Sequence, residues 1–361
     1  MMVPAPALVA DPRLVTEGWL THVLRHGGAI SEGVRVRSFE QEPIGTGQVG
    51  ANVRFRLTYD GEQGPPTVVC KFASRDPDSA AAGVATLTYE TEVAFYRDLA
   101  DSVEVSRPHC YHAALDRGTA NVVLVLEDLF PAEQGDQLAG CTVEQAELAI
   151  DEAVKLHGPR WGDPGLRDLA FLRRDRGSEV WQALPALWQG FVERYGEQLS
   201  PVARQEGARL LAHLDALRDH EPAVLTVTHG DFRLDNLMFD PTSGSRPLTV
   251  VDWQTVRLGA GPHDVAYFLG NAFADDDVRR ANQERLVQRY HDALTGSYRV
   301  PDYPFERCWE DVRRSSHASL LMAIIASMIV GRTERGDRMF LAMADRSAQM
   351  AADLAAADLL D

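Results

Sequence analysis

Cysteine is scarce and scattered. Cys70, Cys110, Cys141 and Cys308 form no Cys-x-x-Cys pair and no cluster with histidine. That spacing excludes a zinc knuckle or a disulfide framework and suits a reducing cytoplasm. Positive charge is also short: 36 Lys and Arg against 53 Asp and Glu give a formal net charge of -17. A surface that tracks nucleic-acid phosphates needs clustered cations, so no nucleic-acid partner is expected. An acidic balance is compatible with cationic substrates, but a plain acidic surface has the same composition. The most apolar run, Ala318–Val330, falls well short of the ~20 residues a spanning helix needs, and it predicts a buried helix instead. No basic residue precedes Arg13, unlike a secretory signal. No internal repeat or low-complexity linker interrupts the chain. These absences predict a soluble, cytoplasmic protein with no membrane partner, either a monomer or a homodimer.

What the chain does have is concentrated in Leu225–Gly259, which reads LTVTHGDFRLDNLMFDPTSGSRPLTVVDWQTVRLG. A β-type run, Leu225–Thr228, delivers His229-Gly230-Asp231. Asn236 follows five residues after Asp231, and a second β-type run ends at Asp252. Phosphoryl transfer from ATP needs this set. One acid accepts or orients the proton of the attacking hydroxyl, and a second acid with an amide holds Mg²⁺ across the phosphates. Asp also commonly starts turns at strand ends. Against that stands Asn236, since Asn is rare here and one falls at the required offset.

Upstream, Val34–Gln41 alternates as a strand, Ile44–Asn52 is a glycine loop, and Val53–Tyr59 alternates again. Glycines let backbone N–H groups approach phosphates, although Gly-rich hairpin turns are common. A strand follows the loop where a dinucleotide fingerprint would need a helix. The run Thr67–Ala73 places Lys71 inside an apolar strand, where an unpaired ammonium would be costly. A helix over Ala80–Ala100 carries Glu90 and Glu92, which are two apart and so lie on different faces. Cys110–Leu115 and Asn121–Leu126 read as a hairpin. Beyond residue 128 the pattern turns helical: Thr142–His157 with Thr142 as N-cap, Glu179–Tyr195, Val202–Leu217, and a helix opening at Pro262 with Asp264 in its first turn.

In this order the motifs resemble the protein-kinase-like small-molecule phosphotransferases, the group of aminoglycoside phosphotransferases, choline kinases and ecdysteroid-kinase-like proteins. The resemblance spans about residues 35 to 270. It implies an α+β, two-lobed fold: an N-lobe over 1–127 with an antiparallel sheet and one main helix, and a mainly helical C-lobe over 128–361. It implies ATP and Mg²⁺ as cofactors, with Asp231 catalytic and Asn236 and Asp252 on the metal. Gly45, Gly47, Gln48, Gly50 and Asn52 would cover the nucleotide. Lys71 would contact its phosphates, Glu92 would pair with Lys71, and backbone groups from Glu127 to Leu129 would meet the adenine. Asp264 would brace the catalytic loop.

Two departures stand out. Asp252-Trp253-Gln254 lacks the glycine of the kinase metal motif, and His229-Gly230-Asp231 lacks the arginine that receives an activation-loop phosphate. Arg233 sits where protein kinases carry a lysine that reaches the γ-phosphate. It is either a catalytic cation there or a surface arginine paired with Asp235 or Asp240. Only ten residues separate Asp252 from His263, which leaves no room for a peptide platform. The partner is therefore expected to be a small molecule bearing a hydroxyl, with Trp161, Trp181, Trp188 and Tyr195 available as walls or as core. An apolar alcohol, a cationic acceptor of the aminoglycoside or choline type, and a nucleotide-binding pseudoenzyme are the competing readings. Retention of Lys71, Asp231, Asn236 and Asp252 argues against the last.

Overall fold

The computed structural model describes residues 5–45, 50–61, 64–173, 178–298 and 300–360. Gly47 and Gln48 lie outside that set. The chain divides into two compact units. The first comprises 1–101, 107–131 and 252–254, and the second 102–106, 132–251 and 255–361.

The first unit is built on a five-stranded antiparallel sheet. In chain order its elements are α1 (Glu17–His26), β1 (Arg35–Ile44), β2 (Gly50–Asp60), β3 (Thr67–Ala73), α2 (Pro77–Ala85), α3 (Thr88–Ala94), β4 (Cys110–Asp116) and β5 (Asn121–Glu127). The strand order is β1-β2-β3-β5-β4. Strand alternation decides which side each residue serves. Val68, Cys70 and Phe72 of β3 and Val123 and Val125 of β5 join one core, closed by Trp19, Leu20, Val23 and Leu24 of α1. Val122 and Leu124 face the other way and pack with Tyr89 and Val93 of α3. Lys71 alternates with the α1-side residues, so it falls on the α3 side of the sheet.

The helix expected over Ala80–Ala100 is not continuous. Leu87 adopts φ 59 and separates α2 from α3, and the chain then winds as a π-helical turn over Phe95–Leu99. Leucine in the left-handed region is a tertiary outcome that no turn residue announces. The π turn adds a residue to the helix and re-aims the residues beyond it.

The second unit opens with β6 (Glu133–Gln134) and α4 (Val143–His157), followed by α5 (Ser178–Tyr195), α6 (Pro201–Ala212) and α7 (Leu214–Asp219). Thr142 and Gln145 form a reciprocal capping box at the start of α4. The helix expected over Val202–Leu217 breaks at His213, whose Nδ1 lies 2.9 Å from the Arg209 carbonyl that its own backbone N–H also uses. Four short strands then carry the loop of interest: β7 (Thr226–Thr228), β8 (Leu237–Phe239), β9 (Leu248–Val250) and β10 (Arg257–Gly259). Helices α8 (Gly261–Ala272), α9 (Asp276–Tyr298), α10 (Phe305–Arg314), α11 (Ala318–Ile329) and α12 (Glu334–Asp353) complete it. α11 is the expected apolar helix, with Leu320, Ala323 and Ile324 buried and Ile329 exposed. Among the described residues, no helix is long and apolar enough to cross a membrane.

Candidate active site

Two constellations answer to the sequence motifs, one in each unit. In the first, the Lys71 ammonium lies 2.6 Å from Glu92 Oε2 and 2.8 Å from Asp252 Oδ1. α3 supplies Glu92 from the same side of the sheet. Glu90, two residues away, points elsewhere and meets the exposed Arg117 at 2.8 Å. Burial by itself would lower the Lys71 pKa, but the charges of Asp252 and Glu92 outweigh it and raise it. Burial pushes the Glu92 carboxyl up, with the attraction of Lys71 working against it. Asp252 has φ 68, a left-handed backbone uncommon outside glycine, which Asp and Asn adopt more readily than other side chains. Gln254 donates to its Oδ2 at 3.1 Å. Trp253 is buried and stacks on Phe95 at 4.0 Å and 8°, which ties the segment to the helix that carries Glu92.

The glycine loop joins this constellation through register. Ile44 pairs with Asn52, and Asn52 with Lys71. Gly45 closes β1 and Gly50 opens β2. A Cβ on Gly50 would sit 3.1 Å from the Phe72 carbonyl oxygen and 3.4 Å from Lys71 Cε, so glycine leaves the flank of the lysine side chain open. At the far end of β5, Glu127 Oε2 accepts from the His109 backbone, and Asp128 holds Arg54 with hydrogen bonds of 2.6 and 3.0 Å. The side chains near Leu129 are thus committed to structure, leaving backbone groups for any base contact.

The second constellation follows β7. Gly230 has φ 81, and a Cβ there would lie 2.6 Å from the Thr255 carbonyl, so only glycine fits. His229 and Gly230 donate their backbone N–H groups to the two oxygens of Asp264, at 2.6 and 3.0 Å. His229 Nδ1 accepts from the Asp231 backbone and its Nε2 reaches the Val251 carbonyl, which orients the ring. Asp231 is then met by three donors. Arg233 Nε lies 3.0 and 3.1 Å from its two oxygens, Asn236 Nδ2 lies 2.9 Å from Oδ2, and the Tyr267 hydroxyl lies 2.8 Å from Oδ1. The amide nitrogen of Asn236 is thereby engaged, so its oxygen is the atom that could hold a metal.

Arg233 is neither a surface arginine nor a partner of Asp240. It is half-buried, bonded through Nε to Asp231 and through Nη1 to Asp235 at 2.9 Å. Asp240 instead caps a turn with Thr242 and Ser243. Burial would lower the guanidinium pKa, but the neighbouring Asp231 raises it, so it stays a cation. Arg335 of α12 adds two hydrogen bonds to Asp235 from the surface, at 3.3 and 3.2 Å. The four aromatic candidates separate. Tyr195 is core, with its hydroxyl on Asp337; Trp181 and Trp188 pack at the rim of the same apolar cluster; Trp161 packs on Tyr303.

Sequence reasoning passed over Tyr267 and His157. Tyr267 lies three residues after Asp264, one helical turn along α8, and that spacing was the available signal. His157 Nε2 lies 3.3 Å from Asp264 Oδ2, and its Nδ1 meets the Tyr290 hydroxyl at 2.9 Å, all fully buried. Burial would raise the Asp264 carboxyl, but hydrogen bonding and attraction from His157 prevail and hold it at about 2. A depressed carboxyl contributes stability above the unfolded value of about 3.9, and that contribution disappears as pH falls through the folded one. We expect Asp264→Ala to cost about 3–5 kcal/mol, because two buried N–H groups lose their acceptor. A urea midpoint at pH 7 measures this. The mutant's stability should also vary less between pH 4 and 2 than that of the wild type.

Comparison with known proteins accords with this geometry. The family model described as APH, phosphotransferase enzyme family, matches residues 41–309. The chain belongs to that family. Its fold is shared with choline kinase from Cryptosporidium parvum (TM-score 0.55, 11% identity, 94% of this chain and 96% of that one). Plasmodium vivax ethanolamine kinase gives 0.53, with 11% identity over 94% of this chain and 90% of that one. A microcompartment-associated aminopropanol kinase gives 0.52, with 16% identity over 90% and 94%. In sequence, 120 residues are 32% identical to acyl-CoA dehydrogenase family member 11 of Gallus gallus, which is 33% of this chain and 14% of that protein. The match spans only that small part of the relative, so its named activity is not carried over.

Proposed function

We propose that this phosphotransferase moves the γ-phosphoryl group of ATP to a hydroxyl of a small apolar molecule. The observation that supports the transfer is Asp231, a carboxylate gripped by Arg233, Asn236 and Tyr267 on a loop that Asp264 braces. Three donors fix the direction of the Asp231 carboxylate, which suits it to orient an acceptor hydroxyl. Lys71 meets the nucleotide phosphates, Glu92 holds Lys71, and the backbone near Glu127 and Leu129 meets the base. Gly45, Gly50 and Asn52 line the phosphate side.

The donor set fits Mg²⁺. Among the described residues no group of three or more His, Cys, Asp or Glu could hold a metal. Magnesium in such enzymes takes one or two carboxylates, with phosphates and water completing its shell. Asp252 and the Asn236 oxygen are the ligands proposed here. The ion supplies charge neutralisation at the transferring phosphoryl group.

The apolar acceptor rests on an apolar cluster that touches the catalytic loop twice. Tyr267 belongs to it and bonds Asp231; Met339 belongs to it and lies 3.4 Å from Arg233 Nη1. Its half-buried rim carries Trp181, Trp188, Met322, Ile325 and Met328. Methionine adapts its shape to varied apolar partners. A thermal-shift screen of alcohols, sterols and aminoglycosides, with a non-hydrolysable ATP analogue and Mg²⁺, tests this. Stabilisation by apolar alcohols is expected; a response to aminoglycosides or choline alone would replace that acceptor class with a cationic one. Absence of Mg²⁺-dependent ATP turnover with any acceptor or water would leave a nucleotide-binding pseudoenzyme.

The Lys71 pairing leads to a graded expectation. Lys71→Ala should weaken ATP binding roughly ten-fold or more, the loss of a charge-assisted contact of about 1.5–3 kcal/mol. Glu92→Ala should reproduce part of that loss, and Glu90→Ala none, since Glu90 serves Arg117. Calorimetric titration of the three variants ranks them, and a larger effect at Glu90 would overturn the pairing.

A further inference from the structure

We propose that Tyr267 is a positioning residue for phosphoryl transfer, its hydroxyl fixing the rotation of the Asp231 carboxylate that receives the acceptor. This rests on the transfer reaction proposed above. An ionised carboxylate offers about four lone-pair directions. On Oδ1 the Tyr267 hydroxyl takes one at 2.8 Å, and on Oδ2 Asn236 Nδ2 takes one at 2.9 Å. Arg233 Nε, almost equidistant at 3.0 and 3.1 Å, is shared between both oxygens. Each oxygen therefore meets two donors, and the carboxylate is held in one rotation. Asp231 keeps 18% of its side chain accessible, so the held carboxylate stays within reach of solvent.

The phenol is well placed to enforce this. Tyr267 is 1% exposed on α8, three residues beyond Asp264. The residue bracing the loop backbone and the residue fixing the loop carboxylate therefore sit on one helix face. Burial and the adjacent Asp231 both push the phenol's own ionisation upward, so it remains a donor. Tyr267 touches the carboxylate, not the reacting atoms. Removing its hydroxyl releases Oδ1 from one of its two donors, and the carboxylate can then turn away from the hydroxyl to be phosphorylated.

The test is Tyr267→Phe in the full chain, with Asp231→Asn and the double variant alongside. Turnover is measured with Mg-ATP and an acceptor from the screen, or with water as acceptor. Turnover in the wild type and its loss in Asp231→Asn establish the transfer reaction independently of Tyr267; no turnover in the wild type would refute that reaction and this inference with it. Given turnover, Tyr267→Phe should lower kcat about ten-fold, with KM for ATP within two-fold and the melting temperature nearly unchanged, the pattern for an interaction used at the chemical step. In the Asp231→Asn background the same change should cost nothing more, because the hydroxyl acts through that carboxylate. Unchanged kcat, a loss carried by KM, or an equal further loss in the double variant would each overturn the proposal.

Discussion

Asp231→Asn should lose roughly 10²-fold to 10⁴-fold in turnover while retaining its fold and its affinity for nucleotide, the range typical of groups that accept or orient a reacting proton. The substitution is nearly isosteric, but it reverses the hydrogen-bond arithmetic at one atom. Arg233, Asn236 and Tyr267 all donate to this side chain. An amide can accept at its oxygen only, and its NH₂ must oppose one of the donors. The Tyr267 hydroxyl can turn to accept from a new NH₂ partner, whereas the Arg233 guanidinium cannot. Arg233 would then keep only Asp235 as a full counter-charge. Steady-state kinetics with saturating acceptor, together with calorimetry for ATP, separates chemistry from binding. Turnover close to wild type would remove Asp231 from the reaction.

Lys71 was legible because a cation inside an apolar strand demands a counter-charge, and lysine is so scarce that the only other one is Lys155. Strand alternation then put it on the side of α3. The choice of Glu92 over Glu90 needed the family pattern, since helical spacing says only that they cannot share a face. Breaks at Leu87 and His213 were not legible: neither is glycine or proline, and both arise from packing and local hydrogen bonds rather than from turn chemistry. Tyr267 was missed for a related reason. In VAYFLG it reads as one more core residue, which it is, and only its hydroxyl, donating to Asp231, sets it apart. Arg233 was half legible. Its charge and position suggested a role, but the nearest carboxylates in sequence include the decoy Asp240, and which of them it meets depends on the short 3-10 turn over Leu234–Asn236.

Replacement of Asp252 should abolish the gain in ATP affinity on adding Mg²⁺ and lower turnover on the order of 10²-fold to 10³-fold, the scale of a lost electrostatic contact to developing charge. The choice of substitution matters because Asp252 sits at φ 68. Alanine in the left-handed region costs about 1–2 kcal/mol, so Asp252→Ala mixes backbone strain with loss of a ligand. Asparagine visits that region readily, which makes Asp252→Asn the cleaner probe. In that variant Lys71 still has Glu92 at 2.6 Å, so metal-free ATP binding should change little. Gln254, which donates to Asp252 Oδ2, can turn its amide to suit the new side chain. Calorimetric titrations of wild type, Asp252→Asn and Asp252→Ala, each with and without Mg²⁺, give six affinities. Both variants should show one value regardless of the ion, with only the alanine variant losing several degrees in melting temperature. A wild-type increase in affinity on adding Mg²⁺ to Asp252→Asn would assign the ion to other ligands, leaving Asp252 as the counter-charge that holds Lys71.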